Sequence, residues 1–232
     1  MPELPEVEII KQSLKKAILS KIILKVSINN KNLRFKLSPS FKKNIENKKI
    51  TNIFRYAKYL IIELNKKTFL TIHFGMSGTL HLVKKKCNIS RTNLSFYQSK
   101  ILPKKHNHVK FIFNNFEIYY NDPRRFGYMF IFKSSNDLWN FLKKNGLEPL
   151  EREFNLKYLR EKFQFRNKNI KNILLDQSII SGIGNIYASE ILFYSGINPF
   201  RSGKDLKTSE LKKIIKFSKF VLNKAIRYGG ST

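Results

Sequence analysis

Apolar residues fall at helical spacing near the start of the chain. Val7, Ile10, Leu14 and Ala17 or Ile18 recur every three or four positions and predict one amphipathic helix. Pro5 in its first turn, with Glu6 and Glu8 following, is an ordinary helix opening, since acids suit the positive helix end. From residue 21 the period shortens to two. Residues 21–29 predict a strand, and 48–64 predict extended chain. Within the latter Tyr56, Lys58, Leu60 and Ile62 share one face, and Ala57, Tyr59 and Ile61 the other. Residues 68–83 predict two strands broken at Gly75-Met-Ser-Gly78, a tight turn that pushes an apolar side chain outward. The stretch 84–105, basic and containing Pro103, predicts an irregular loop, and strands follow at 108–113, 116–121 and 128–132. Beyond residue 134 the period returns to that of helices, over 135–145, 155–163, 169–176, 185–195 and 208–228. Glycine and proline mark the breaks, at Gly146, Pro149, Gly196, Pro199 and Gly203. The pattern predicts an α+β chain, with a β-rich domain over 1–133, a boundary over 134–150 and an all-helical domain over 151–232. No internal repeat is visible.

Composition fits this picture and adds a partner class. The 232 residues are 42% hydrophobic and 13% aromatic, enough for a sizeable core. The net charge of +29 points to a polyanion, either nucleic acid or an anionic membrane, although abundant Lys, Asn, Ile and Phe also fit compositional drift in A·T-rich coding DNA. No segment approaches 18 uncharged apolar residues and the N-terminus is acidic, so a cytosolic protein is expected. The single cysteine, Cys87, excludes a disulfide framework and a thiolate metal site. His106 and His108 could begin a two-histidine metal site, but no third ligand is in evidence.

Candidate chemistry clusters in short stretches. Removal of Met1 would leave Pro2, a secondary amine beside the carboxylate of Glu3. Such an amine attacking a carbonyl carbon gives an iminium, an electron sink suited to opening a sugar at its anomeric carbon and expelling the C3′ substituent. An α-amino group titrates near pH 7.7–8.0, so roughly a tenth is unprotonated at neutrality. Lys58, flanked along its face by Tyr56 and Leu60, is either a snorkelling strand-end residue or a proton donor in an apolar setting. The turn Asn121-Asp-Pro-Arg-Arg-Phe-Gly127 presents Arg124, Arg125 and Phe126 together. Arginines bind phosphate and an apolar wedge can enter a base stack; alternatively Phe126 folds back into the core. Gly182-Ile-Gly-Asn-Ile-Tyr-Ala188 resembles a dinucleotide turn, yet its lead-in is interrupted by Asp176, Gln177 and Ser178. A helix–turn–helix whose glycine N–H groups hold a phosphate, with Asn185 adding a side-chain donor, fits better.

Taken together, PELPEVE at 2–8, AKYL at 57–60, HFGMSG at 73–78, KHNHV at 105–109, DPRRFG at 122–127, GIGNIYASE at 182–190 and RYGGST at 227–232 resemble the formamidopyrimidine-DNA glycosylase family. These are bifunctional base-excision enzymes that remove oxidised purines and nick the strand, and the motifs occur in the family's order along essentially the whole chain. The resemblance implies an N-terminal β-sandwich with a long first helix, a helix–two-turn–helix domain, and DNA bound in the cleft between them. It implies Pro2 as the nucleophile at C1′, Glu3 as the acid/base for ring opening and base loss, Glu6 as a supporting carboxylate, and Lys58 as a proton donor in β-elimination. His106, Arg124, Arg125, Arg166 and Asn185 would contact DNA, with Lys171 and Lys219 as further contacts. Met76, Arg124 and Phe126 would fill the gap left by a flipped nucleotide. The implied partner is damaged double-stranded DNA, bound by a monomer in the nucleoid-associated cytoplasm and not at a membrane.

One departure stands out. The family continues into a hairpin holding one structural zinc through four cysteines and carrying a DNA-contacting arginine, whereas this sequence ends at Gly229-Gly-Ser-Thr232. No zinc, and no other cofactor, is therefore expected in this chain, which would be shortened relative to the family. Two alternatives follow: a relic that binds DNA without turnover, and a ribosomal-type RNA-binding helix–two-turn–helix protein. The second leaves PELPEVE and DPRRFG unexplained.

Overall fold

The computed structural model describes residues 2–84 and 102–230; Cys87 and most of the expected 84–105 loop lie outside the described residues. Helix α1, Leu4–Ile18, opens the chain. The chain forms two compact units, one of Met1–Pro2 and Val7–Phe141, the other of Glu3–Glu6 and Leu142–Thr232.

In the first unit the strands are β1 (Ile22–Ile23), β2 (Lys25–Ile28), β3 (Lys48–Tyr56), β4 (Tyr59–Leu64), β5 (Thr68–His73), β6 (Thr79–Lys84), β7 (Asn107–Ile112), β8 (Phe116–Asn121) and β9 (Tyr128–Phe132). They form two antiparallel sheets, ordered β1-β3-β4-β5-β9 and β2-β7-β8-β6. Both sheets contribute to one core. Ile53, Leu60, Ile62, Leu70 and Ile72 come from one sheet, and Val26, Leu80, Phe111, Ile118 and Tyr120 from the other. The predicted stripe of α1 (Val7, Ile10, Leu14, Ile18) joins this core. Each such aliphatic side chain contributes roughly 1.5–3 kcal/mol on burial.

Two strand expectations are corrected. Residues 21–29 are not one strand: β1 pairs with β3 and β2 with β7, so the chain changes sheet at Leu24, whose N–H donates to the Ile112 carbonyl at 2.9 Å. Nor does one alternating face run through 56–62. Tyr56 and Tyr59 pair across a two-residue turn formed by Ala57 and Lys58, with Ala57 at φ 50°. Tyr56 and Lys58 therefore share no strand face.

Helix α2 (Ser135–Leu142) follows β9. Its Trp139 ring meets Tyr56 edge-on, and Phe141 packs against Tyr59, Phe130 and Phe132.

The second unit holds α3 (Leu156–Phe163), α4 (Ile170–Leu175), α5 (Asn185–Ser195) and α6 (Thr208–Tyr228). Asn155 and Asn169 cap α3 and α4, each accepting the N–H three residues on. Helix α5 ends at Gly196 and α6 at Gly229, both in the left-handed conformation that glycine adopts without strain. Phe163, Ile173, Leu174, Tyr187, Ile191, Ile214 and Leu222 fill the core, and Leu4 is buried among them.

Candidate active site and nucleic-acid interface

In the helical unit the first residues of the chain meet the start of α5. Glu3 is 1% exposed, and its carboxylate accepts the N–H groups of Gly184 at 2.6 Å, Ile186 at 3.1 Å and Tyr187 at 3.4 Å. The Leu4 N–H, otherwise an orphan at the opening of α1, donates to the Gly182 carbonyl at 3.0 Å. Glu6, fully buried, accepts the Glu3 N–H at 2.7 Å and the Tyr187 hydroxyl. The glycines permit this approach, because a Cβ at Gly182 would overlap Leu4 and one at Gly184 would overlap the Glu3 side chain.

This corrects the expected phosphate turn. Three N–H groups at the start of α5 are already taken by a carboxylate of the chain itself. Asn185 is exposed at the first position of α5. Arg166 is half-buried, with Nε donating to the Lys162 carbonyl at 2.9 Å. Lys171 and Lys219 are also half-buried, and neither side chain makes a hydrogen bond or ion pair among the described residues.

In the β-sandwich unit two turns are knitted together. Asp122, fully buried, accepts the Ser77 hydroxyl, the Gly127 N–H at 2.8 Å and the Tyr120 hydroxyl at 3.1 Å. The Ser77 Oγ in turn accepts the Arg124 N–H at 3.2 Å. Gly75, at φ 59°, lies so close to the Phe126 backbone that any Cβ would overlap it. Met76 and Phe126 consequently stand on adjoining turns, each 42% exposed, so Phe126 does not fold into the core. The Arg124 guanidinium lies 4.6 Å above the Phe126 ring. Arg125 is exposed and left-handed, at φ 56°.

Pro2 is buried, and Lys58 is 6% exposed in its turn. Ala57 beside Lys58, His106 and Arg125 are three of the non-glycine residues at positive φ, a conformation that typically costs about 1–3 kcal/mol and gathers at functional sites.

His106 is exposed and its carbonyl accepts the Asp122 N–H at 3.1 Å. His108 is buried, with Nε2 2.7 Å from the Asp122 carbonyl, so it braces the turn and is not a free ligand. Among the described residues no three His, Cys, Asp or Glu side chains converge to hold a metal ion, and the chain has one cysteine. These residues do not fit a four-thiolate zinc site.

Sequence reasoning missed three residues. His73 stacks on Tyr128 at 4.8 Å, and its Nδ1 accepts the Gly75 N–H at 3.1 Å, which leaves the ring proton on Nε2. Burial, then the charges of Lys58 and Arg34, pull its pKa down to about 4, so the ring is neutral at pH 7. The motif HFGMSG contained His73 without indicating a role. Asp122 looked like a turn former, not an organiser of two turns. Arg34 carried no signal at all.

Apolar wedges flanked by arginine open base stacks, and buried acids serve proton transfer. The class defined by these two features is that of enzymes acting on bases held within nucleic acid. Known proteins narrow it further. Residues 1–129 match the model of the formamidopyrimidine-DNA glycosylase N-terminal domain, and residues 145–232 that of the family's H2TH domain. The formamidopyrimidine-DNA glycosylases of Rickettsia massiliae and Rickettsia bellii are 41% and 42% identical over all of this chain and 78% and 80% of their own lengths. Two solved structures of Lactococcus lactis Fpg are also similar. One is in complex with DNA containing an abasic site (TM-score 0.86, 31% identity, 99% of this chain and 80% of that one). The other is in complex with DNA containing an oxidised pyrimidine (TM-score 0.87, 32% identity, 100% and 82%). The chain belongs to the formamidopyrimidine-DNA glycosylase family.

Proposed function

We propose that this protein excises oxidised purines, 8-oxoguanine and formamidopyrimidines, from damaged duplex DNA and then nicks the strand as an AP lyase. Once Met1 is removed, the Pro2 nitrogen attacks C1′ of the damaged nucleotide, the base leaves with a proton, and an iminium forms. Glu3 serves ring opening and base loss, with Glu6 holding the Glu3 N–H. Loss of a C2′ proton then breaks the C3′–O bond, with Lys58 handling the proton. Met76, Arg124 and Phe126 occupy the space of the flipped nucleotide, while His106, Arg125, Arg166 and Asn185 contact the DNA, with Lys171 and Lys219 as outer contacts.

The observation that carries this reading is the placement of Glu3. The residue next to the proposed nucleophile is buried, and its carboxylate is fixed by backbone N–H groups of Gly184, Ile186 and Tyr187. A catalytic group needs this fixed orientation.

The test is borohydride reduction of the protein on duplexes carrying 8-oxoguanine or an abasic site, with mass spectrometry of the N-terminus. A covalent adduct that requires loss of Met1 and disappears in Pro2→Gly is expected. Steeply salt-dependent binding with no adduct from the Pro2-terminated chain would refute the catalytic reading and select the non-catalytic DNA binder.

A further inference from the structure

Residues 32–34 line a basic cavity together with the Arg124–Phe126 turn. The cavity, of about 600 Å³, is lined by Asn32, Leu33, Arg34, Arg124, Arg125 and Phe126. All three guanidinium groups are exposed, and among the described residues none pairs with a carboxylate.

The 32–34 segment is held firmly. Leu33 and Leu37 are buried in the sandwich core, and Asn32 bridges to Lys36 as in a short hairpin. Phe35 packs edge-on against Tyr128 at 5.1 Å and against Phe130 at 5.5 Å. The Arg34 N–H donates to the Gly127 carbonyl at 3.1 Å, which fastens this segment to the wedge-bearing turn. Arg34 also lies 6.0 Å from the Phe35 ring, as Arg124 does at 4.6 Å from Phe126. Two arginines, each beside an aromatic ring, thus line one cavity. Holding unpaired guanidinium groups together is unfavourable unless an anion joins them, and a planar guanidinium suits a phosphate bidentately.

We infer that Arg34, which lines one cavity with Arg124 and Arg125, is a contact for a backbone phosphate of the duplex beside the wedge. The inference rests on the proposed function for the identity of the polyanion. Arg34 neutralises one phosphate whatever the neighbouring bases, since contacts of this kind fix register and carry no sequence information.

The test is the salt dependence of affinity of the full chain for lesion-free and lesion-bearing duplexes of several sequences. Wild type, Arg34→Gln, Arg34→Lys and the exposed α1 control Lys15→Gln are compared, each first shown to be folded by its melting curve. Arg34→Gln should lower the slope of log K against log salt by about 1, so that affinity falls about fourfold less between 50 and 200 mM salt. Arg34→Lys should keep the wild-type slope, Lys15→Gln should not change it, and the Arg34→Gln loss should be uniform across sequences. An unchanged slope in folded Arg34→Gln overturns the assignment, as does an equal change in Lys15→Gln or a loss confined to one base context. The lesion-free duplex decides this whether or not borohydride traps an adduct, so the two readings fail separately.

Discussion

Replacing Asp122 should loosen at once the two turns that carry Met76 and Phe126, the wedge of the proposed function. Its carboxylate accepts three donors, the Ser77 hydroxyl, the Gly127 N–H and the Tyr120 hydroxyl. Asp122→Asn keeps the shape. The amide oxygen can still take Gly127 and Tyr120, while Ser77 can rotate to accept from the new amide. Two bonds to a charged acceptor, worth about 1.5–3 kcal/mol each, become neutral bonds worth about 0.5–1.5, a loss of about 2 kcal/mol. Asp122→Ala leaves the buried Gly127 N–H and Tyr120 hydroxyl without an acceptor, at about 1–3 kcal/mol each, so about 4 kcal/mol is expected. At about 2–4 °C per kcal/mol the melting point falls by roughly 6 °C for Asn and 12 °C for Ala. Burial and the Asp122 charge also hold the Tyr120 hydroxyl well above its ordinary pKa, and Asp122→Asn relieves that second cause. The decisive assay is single-turnover excision from a paired duplex and from one in which the damaged base is already unpaired. A misplaced wedge slows the first at least tenfold and spares the second. Equal slowing on both substrates, or an unchanged melting point in Asp122→Asn, would show that Asp122 does not align the wedge.

Two further substitutions test other joints of the structure. Gly184→Ala would drive its Cβ into Glu3; the backbone at φ −128° is ordinary, so the effect is overpacking alone, about 1–3 kcal/mol. Its urea midpoint should drop and the adduct yield on an abasic duplex should fall with it; a midpoint equal to wild type would refute the close approach. Burial lowers the pKa of His81 to about 4. The unfolded chain binds a proton below about pH 6.5 that the folded chain refuses until about 4. Stability is therefore lost as pH falls through that window, by at most about 3 kcal/mol. His81→Leu should flatten the decline of the urea midpoint between pH 7 and 4.5, and an unaltered decline would assign it to other groups such as His73.

The helical half was readable because its punctuation is local. Asn155 and Asn169 cap helices that begin at the next residue, and Gly196 and Gly229 end helices by adopting positive φ. The β half was readable where strands hairpin onto their neighbours and unreadable where the partner is remote. Nothing near Leu24 announces that β1 will pair with β3 while β2 crosses to β7. The Ala57-Lys58 turn lacks the glycine, asparagine or proline that normally marks one, so periodicity ran straight through it. The turns of Met76 and Phe126 were visible as motifs. Their joining through Asp122 was not, since Ser77 and Asp122 are 45 residues apart.

Glu3 and the glycine turn show why residue type alone misassigned a site. A G-x-G before a helix suggests phosphate because free N–H groups at a helix start attract anions. That attraction does not distinguish a phosphate from a carboxylate. Here the anion is Glu3, 181 residues away in sequence from its first donor, Gly184. The glycines are explained by that carboxylate: Gly184 leaves room for its side chain, while Gly182, at φ 90°, leaves room for Leu4 and accepts its N–H. A DNA phosphate arriving at α5 cannot use the same three N–H groups without displacing Glu3 from them. Any phosphate contact there must come from outward-facing groups such as the Asn185 side chain. Under the proposed function the exposed Asn185 side chain takes the backbone phosphate while the turn's N–H groups orient Glu3, so Asn185→Ala should weaken duplex binding and leave Glu3 in place; unchanged affinity would refute this division.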